Sequence, residues 1–278
     1  MNSSAVHPII VIPVYRALPT DQEAWAIATC VDTLAGHQLA FVAPASLECA
    51  AYRTLCPHAA VERFHDGYFQ AVRGYNELLT HRCFYERFRN FSHLLVYQTD
   101  AHVMYDRLIA WCRSGYDFIG APWFDDWTTS HRDGSLWAVG NGGFSLRNVR
   151  SCLAALRGYR RIAMFLRGRG GRHALRWRLR RNPLLRDRAA LLDSLVDSGG
   201  QHPWPLNEDV FWGMFIGSLS HGFRVAPAEV AVRFSFECDP RFLFEVAKRE
   251  LPFGCHAWRR YDEDFWRGEL DTGLREAP

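Results

Sequence analysis

Short apolar runs alternate with amphipathic segments along the first 120 residues of the chain. The runs are typical of strands buried on both faces, and they lie at 9–14, 39–42, 61–64, 93–97 and 117–120. Between them, residues follow helical spacing over 21–34, 46–56, 68–88 (in two pieces) and 107–113, with Thr20 as a candidate N-cap. Strands that alternate with helices predict an α/β domain whose central sheet is mainly parallel and flanked by helices.

The pattern changes after Pro122, where polar and aromatic residues replace the regular alternation. Asn141-Gly142-Gly143 predicts a sharp turn before a short apolar run, and residues 207–219 predict a further helix. In open α/β sheets the ligand crevice lies outside the carboxyl ends of the strands. We therefore expect one crevice to be surrounded by the segments that follow the strands, at 13–16, 98–102 and 121–123.

Charge is distributed unevenly along the chain. The 278 residues include 33 Lys and Arg against 30 Asp and Glu, for a formal net charge of +3. Twelve Arg and a single acid lie within 157–188, so the remainder has 21 bases against 29 acids. Ordinary apolar and charged fractions exclude general disorder, and the near-neutral total argues against dedicated nucleic-acid binding. The basic insert itself fits an anionic membrane surface, a nucleic-acid patch or a solvated loop.

The first residues and the cysteines bear on the cellular compartment. No cationic stretch precedes the first apolar run, and no run approaches the roughly 20 apolar residues of a membrane span. Eight cysteines are scattered without a C-x-x-C pair, which favours buried free thiols. We expect a cytoplasmic protein, and the basic insert allows a peripheral contact at the inner face of the membrane.

Asp100 and His102 follow one of the predicted central strands. In extended geometry, residues two apart share a face, so the carboxylate and the imidazole could bind one cation. Asp oxygen with His nitrogen suits Mn²⁺ or Zn²⁺, and a carboxylate with phosphate oxygens suits Mg²⁺. The alternative is an Asp that caps the next helix beside an exposed His.

Three other polar segments are candidates for chemistry, each with an ordinary structural alternative. Glu208 and Asp209 open a predicted helix, where acids either favour the helix dipole or supply a general base. Gly142 and Gly143 either let the backbone approach a ligand closely or only form a turn. His256 lies in a turn between bulky residues and is either a structural residue or a ligand.

Six segments in fixed order are more specific than any one of them. They are VIPVY (11–15), YQTDA (97–101), YDFIGAPW (116–123), GNGGFSLR (140–147), EDVFW (208–212) and PFGCHAW (252–258). In this succession the chain resembles the bacterial domain-of-unknown-function family 5672, whose members are regarded as glycosyltransferases of the GT-A type. The resemblance runs from about residue 8 to residue 266 and leaves out the basic insert.

The resemblance implies a single GT-A-like, Rossmann-related domain over residues 1–278. A nucleotide-sugar-binding half is expected at about 8–125 and an acceptor-side half at 126–278. The basic insert, a helix or a loop, is expected at 157–203 within the second half.

The resemblance also assigns residues to the donor and to a metal. In GT-A enzymes a D-x-D motif holds a divalent cation on the donor diphosphate, and the matching tripeptide here has a neutral amide in place of the first acid. The implied ligands of Mn²⁺ or Mg²⁺ are Asp100, His256 and, by the D-x-H variant of the motif, His102. The nucleotide-diphosphate sugar is expected to contact Pro13, Tyr15, Arg16, Gln98, Thr99, Asp100, Asn141, Gly142 and Gly143.

For the reaction, the resemblance implies Asp209 as the base and Glu208 as the residue that orients it or hydrogen-bonds the acceptor. Trp123 and Trp212 are expected to stack on sugar rings, with core packing as the alternative for Trp123. We expect an inverting, metal-assisted hexosyl- or N-acetylhexosaminyl-transferase that acts on a glycan, lipid-linked or protein acceptor and not on nucleic acid. The alternative is a non-catalytic protein that keeps the fold and binds a glycan or an anionic surface.

Overall fold

The computed structural model describes residues 6–124, 135–166, 207–217 and 222–274, with side chains up to residue 161 in the second range and 270 in the last. Most of the basic insert predicted at 157–203 therefore lies outside the described residues. The strands within these ranges are β1 (Pro8–Pro13), β2 (Gln38–Pro44), β3 (Ala60–Phe64), β4 (His93–Tyr97), β5 (His102–Val103), β6 (Phe118–Ile119), β7 (Pro122–Phe124), β8 (Leu136–Val139), β9 (Phe144–Asn148), β10 (Ser235–Phe236) and β11 (Gly254–Cys255).

Six of these strands form the central sheet, in the order β3-β2-β1-β4-β9-β6. The first four are parallel to one another, and β9 is antiparallel to both of its neighbours. Every residue of β1 and β4 is buried, which explains why both strands, apart from His93 at the start of β4, are apolar without alternation. The predicted mainly parallel α/β sheet is confirmed.

Helices cover the sheet and connect its strands. They are α1 (Asp21–Thr33), α2 (Ala50–Leu55), α3 (Val72–Thr80), α4 (Arg82–Arg87), α5 (Leu108–Arg113), α6 (Val149–Leu166), α7 (Glu208–Val210), α8 (Ala228–Ala231), α9 (Pro240–Val246) and α10 (Glu263–Leu274), with a 3₁₀ turn at Asp66–Phe69 and a π-helical turn at Phe211–Ile216. Thr20 caps α1 in a capping box with Glu23, as its position predicts. The helix predicted at 46–56 is shorter than expected.

The helix predicted at 207–219 begins in α7 but changes its winding after three residues. The π-helical turn packs closely on β8, because a Cβ on Gly213 would lie 1.9 Å from the carbonyl oxygen of Val139. Helical spacing in the sequence does not distinguish α from π winding over one or two turns.

Two small sheets lie outside the central one. The first has the order β10-β11-β5, with β10 parallel and β5 antiparallel to β11. The second pairs β7 with β8. Aromatic and aliphatic side chains from β10, β11, α9 and α10 form a hydrophobic cluster of their own beneath the first small sheet. This cluster fixes the strands that carry Glu237 and His256.

All eight cysteines are free thiols, and six of them are buried. Among the described residues, no helix combines the length and apolar character that crossing a membrane requires.

Candidate active site

Two loops meet at the carboxyl end of β4 and the amino end of β9. Tyr97 pairs with Phe144 in the sheet register, and the Gln98 amide donates to the Gly143 carbonyl at 2.8 Å. Because β9 runs antiparallel to β4, the segment that precedes β9 lies beside the segment that follows β4. The predicted turns at 98–100 and 141–143 are therefore in direct contact.

His256 is the centre of a cluster of polar side chains in this contact region. Its Nε2 lies 3.1 Å from Gln98 Oε1 and 3.2 Å from Asp100 Oδ1, while its Nδ1 lies 3.1 Å from Glu237 Oε1. Burial alone would lower the pKa of His256, but hydrogen bonds and charges from Asp100 and Glu237 outweigh it and raise the pKa to about 10. The two carboxylates thus stabilise a proton on each ring nitrogen, and a metal ion that binds Nε2 would displace one of these protons.

Asp100 is the exposed member of this cluster, with about half of its side chain open to solvent (52%). Burial of the remainder would raise its pKa, but the hydrogen bond and the charge of His256 prevail and lower it. Asp100 is consequently an exposed, ionised carboxylate at neutral pH.

The two glycines of the 141–143 loop let side chains of the protein itself approach the backbone. A Cβ on Gly142 would lie 1.7 Å from Glu208 Oε1, and a Cβ on Gly143 would lie 2.0 Å from His256 Nε2. The left-handed backbone of the loop falls on Asn141, with φ of 64°. Asn141 Oδ1 accepts from the Gly143 amide at 3.1 Å, which stabilises the turn.

Asp209 contacts the same loop at Asn141, two residues before the glycine that lies against His256. Its Oδ2 accepts from the Asn141 amide at 3.2 Å, and its Oδ1 accepts from the Val210 amide at 2.8 Å. Burial, followed by the negative charges of Glu208 and Glu237, raises the pKa of Asp209 to about 7, although both amides act in the opposite direction. A carboxylate that titrates near neutral pH is suited to accept a proton as a general base.

Glu208 is buried together with Arg147. The Arg147 Nη2 donates to Glu208 Oε1 at 2.9 Å and lies 2.8 Å from Oε2. The guanidinium also donates to Tyr85 Oη at 3.0 Å and to Ser145 Oγ, which fixes its plane. Only 3% of the Glu208 side chain is exposed, so this carboxylate offers almost no surface to an acceptor.

Asn76 on α3 holds the start of α7. Its Oδ1 lies 3.4 Å from the Glu208 amide nitrogen, and its Nδ2 donates to Asn207 Oδ1 at 3.2 Å. Both adjacent acids at the head of α7 contact the glycine loop, Glu208 at Gly142 and Asp209 at the Asn141 amide, and Glu208 is also paired with an arginine.

The segment after β1 lies on the other side of Asp100. Thr99 Oγ1 donates to Glu23 Oε1 at 3.3 Å, and Arg16 Nη1 lies 3.7 Å from Glu23 Oε2. The Arg16 guanidinium lies over the ring of Tyr15, and both side chains are exposed. Pro13 is buried at the end of β1. Glu23 thus links Thr99, in the turn that contains Asp100, to Arg16 in the segment after β1.

The shared-face argument for Asp100 and His102 is wrong. The Ala101 amide donates to the Gln98 carbonyl at 2.9 Å, so residues 98–101 form a turn and not an extended strand. His102 is buried, with its ring stacked on Trp25 at 4.9 Å, and burial lowers its pKa to about 4. The imidazole is neutral and belongs to the packing of β5 on α1.

The two tryptophans differ from each other in environment. Trp212 is fully buried, donates from Nε1 to the Leu79 carbonyl at 3.0 Å and stacks on Phe223. Its assignment to sugar stacking is wrong, because no face of the ring is open. Trp123 is partly exposed and packs over Gly140, where a Cβ would lie 1.7 Å from its ring. Trp123 remains a candidate for an acceptor contact.

The residues around His256 fit a divalent cation that takes further oxygens from a second molecule. Among the described side chains, no group of three His, Cys, Asp or Glu is arranged to hold a metal ion. Asp100 Oδ1 and Gln98 Oε1 nevertheless converge on the same imidazole nitrogen. One carboxylate, one amide oxygen and one imidazole are ligands that Mn²⁺ and Mg²⁺ accept, and diphosphate oxygens are their usual complement.

Two residues of the site were not found from the sequence, Glu237 and Arg147. Glu237 directly follows the short apolar strand β10, as Asp100 follows β4, so an acid after an apolar run was the available signal. Arg147 lies within the strand β9, where an arginine ordinarily points to solvent. Nothing in the sequence around Arg147 indicates that Glu208 lies opposite, because the two residues are 61 positions apart.

Comparison with protein families matches residues 58–256 to the family described as "Protein of unknown function (DUF5672)". The chain belongs to this family. The predicted family is confirmed, and the match is shorter than the expected 8–266, since it begins after the first motif (11–15) and ends on His256. No curated protein matches the sequence.

Comparison with solved structures places this DUF5672 member among GT-A folds. Mouse xyloside xylosyltransferase 1 (apo form) is similar with a TM-score of 0.50 and 11% identity, over 90% of this chain and 97% of that one. The galactosyltransferase LgtC, in complex with donor and acceptor sugar analogues, gives a TM-score of 0.47 and 10% identity, over 89% and 86%. The predicted GT-A-like fold class is confirmed.

Proposed function

We propose that the protein is a glycosyltransferase that moves a sugar from a nucleotide-diphosphate donor to a hydroxyl acceptor. The observation that carries the proposal is the double contact of the 141–143 loop. The loop binds Asp209 through the Asn141 amide and lies against His256 at Gly143, so a candidate base and a candidate diphosphate site share one short turn. A sugar placed over this turn would have its anomeric carbon between the two.

In the proposed reaction, the Asp209 carboxylate accepts the proton of the acceptor hydroxyl. The acceptor oxygen then forms a bond with the anomeric carbon while the bond from that carbon to the diphosphate oxygen breaks. The nucleoside diphosphate leaves with the bonding electron pair, and the sugar inverts its configuration. Glu208, held by Arg147, keeps a second negative charge beside the base and so favours the protonated state that forms during the reaction.

Asp100 and His256, with Gln98 beside them, would hold a divalent cation, which when bound supplies positive charge to the diphosphate as it leaves. The donor would extend from there toward Thr99 and the segment after β1. Tyr15 and Arg16, both exposed, offer a ring face and a guanidinium to the nucleoside and its phosphates.

The acceptor is proposed to be a glycan, a lipid-linked precursor or a protein, and Trp123 offers it a partly exposed ring. The twelve arginines within 157–188 are proposed to recruit an anionic acceptor or the membrane surface. Deletion of residues 160–188 should then weaken acceptor binding and vesicle partition. Unchanged binding in both assays would indicate that the arginines have no recruiting role and belong to a solvated loop.

A thermal-shift screen of nucleotide sugars, with and without Mn²⁺, tests donor binding. A ligand present at about 100 times its Kd stabilises the native state by about 2.7 kcal/mol, which raises the melting temperature by several degrees. We expect one nucleotide sugar to give this shift with Mn²⁺ and a smaller one without it. Asp100→Asn should reduce the Mn²⁺-dependent part. Absence of a shift with every common nucleotide sugar would contradict the proposal.

A further inference from the structure

Glu237 contacts His256 at the ring nitrogen that does not face Asp100 and Gln98. It follows β10, and its Oε1 lies 3.1 Å from Nδ1 of His256, which follows the neighbouring strand β11. The two strands are parallel, and the His256 amide donates to the Phe236 carbonyl at 3.1 Å. The pair is therefore fixed by backbone hydrogen bonds next to it and not only by side-chain contact.

Packing restricts the position of the His256 ring, so the motion left to it is a flip about its bond to Cβ. Gly143 lies over the ring near Nε2, where even a Cβ would collide, and only 13% of the side chain is exposed. With Nδ1 hydrogen-bonded to Glu237, Nε2 is the nitrogen that faces Asp100 and Gln98. If Nδ1 had no hydrogen-bond acceptor, the ring could flip about its bond to Cβ, and Nε2 would then turn away from Asp100 and Gln98.

A histidine that ligates a metal through one nitrogen ordinarily donates the other N–H to a carboxylate or carbonyl. That partner fixes the tautomer and the ring plane, and its loss typically lowers metal affinity 10- to 100-fold. Among the described residues, Glu237 is the side chain whose contact with Nδ1 meets this requirement.

We propose that Glu237 is a positioning residue that holds His256 with Nε2 directed at the Asp100–Gln98 side, ready to bind a divalent cation. The inference rests on the proposed function, because it assigns the cation to that site. The positioning role is exerted through His256 and requires no contact of Glu237 with the donor, the acceptor or the cation.

Mn²⁺ affinity of the donor-free protein tests this role without an activity assay. Free Mn²⁺ is measured by its electron paramagnetic resonance signal during titration of wild type, Glu237→Ala and Glu237→Gln. We expect Glu237→Ala to bind Mn²⁺ about 10- to 100-fold more weakly. Glu237→Gln keeps an oxygen that accepts from Nδ1, so it should recover most of the affinity, within about tenfold of wild type.

Glu250→Ala is the matched control, because Glu250 is an exposed acid shortly before the same strand β11. It removes one negative charge nearby and should leave the Mn²⁺ affinity unchanged. Far-UV circular dichroism and melting temperature establish that all variants are folded. A folded Glu237→Ala variant with wild-type Mn²⁺ affinity overturns the inference, and so does an equal loss in Glu250→Ala.

The outcomes separate the inference from the proposed function. Wild-type protein that transfers sugar but binds no Mn²⁺ overturns the role of Glu237 and leaves the transferase proposal standing. Wild-type protein that binds Mn²⁺ in a Glu237-dependent way but binds no nucleotide sugar contradicts the transferase proposal and supports the positioning role.

Discussion

Asp209 and Glu208 are adjacent in sequence but differ in chemistry because their partners differ. The guanidinium of Arg147 compensates the charge of Glu208, whereas the hydrogen-bond partners of Asp209 among the described residues are two backbone amides. Burial next to a second carboxylate then raises the pKa of Asp209 to about 7. The sequence identified both acids as candidates. Their division of labour depends on an arginine 61 positions away, which no local pattern reveals.

The raised pKa of Asp209 makes it a destabilising residue at neutral and alkaline pH. An acid whose pKa is about 7 in the native state and near 3.8 in the unfolded state costs nothing below pH 3.8. The cost grows as the pH rises and is complete above pH 7. We expect Asp209→Asn to be more stable than wild type at pH 8, by on the order of 2 to 4 kcal/mol.

Urea unfolding at several pH values measures this difference. The gain of Asp209→Asn should shrink as the pH falls from 8 toward 4. A gain that is the same at every pH would mean that the substitution acts through packing and not through the charge of Asp209.

The contact between β9 and α7 depends on one buried ion pair. Removing Arg147 would leave the Glu208 carboxylate in the core without a compensating charge. We expect Arg147→Met to lose about 3 to 5 kcal/mol of stability. The double variant Arg147→Met/Glu208→Gln should recover a large part of this loss, because the uncompensated charge is gone. Denaturant unfolding of wild type, the single variants Arg147→Met and Glu208→Gln, and the double variant gives the coupling, and additive effects would show that the pair is not coupled.

The sequence pattern of the glycine loop predicted its turn but not the side chains that contact it. The sequence predicted the turn at 141–143 and a close approach to it. The structure assigns that approach to Glu208 and His256 and puts the left-handed residue at Asn141. Similarly, the strand β4 was predicted at its observed bounds, but the turn that follows it removed the expected pairing of Asp100 with His102.

Two glycine substitutions should have opposite effects on stability. A Cβ at Gly142 would lie 1.7 Å from Glu208 Oε1, whereas a Cβ at Gly158 in α6 meets nothing within 4 Å. We expect Gly142→Ala to lose about 1 to 3 kcal/mol through overpacking. Gly158→Ala should gain up to about 1 kcal/mol from helix propensity. Thermal unfolding compares them, and equal effects would show that the space around Gly142 adapts without cost.

At the scale of the whole molecule, apolar runs that alternate with helical segments sufficed to predict the parallel sheet, because a strand buried on both faces is apolar along its length. The antiparallel strand β9 lies between β4 and β6, so the sheet includes a strand from beyond the predicted boundary at 125. That insertion brings Asn141–Gly143 next to Gln98–Asp100. The small sheet that carries Glu237 and His256 has strands of two residues, too short for any periodicity to indicate.

Release of nucleoside diphosphate from a nucleotide sugar tests the central claim most directly, because water can replace an unidentified acceptor. With the donor selected by thermal shift, wild-type protein should release the diphosphate at a rate that increases as the pH passes through about 7, where Asp209 loses its proton. Asp209→Asn should bind the same donor and release the nucleoside diphosphate at least about 100-fold more slowly. Release by Asp209→Asn at the wild-type rate, or no release by wild type from a donor that binds, would contradict the account.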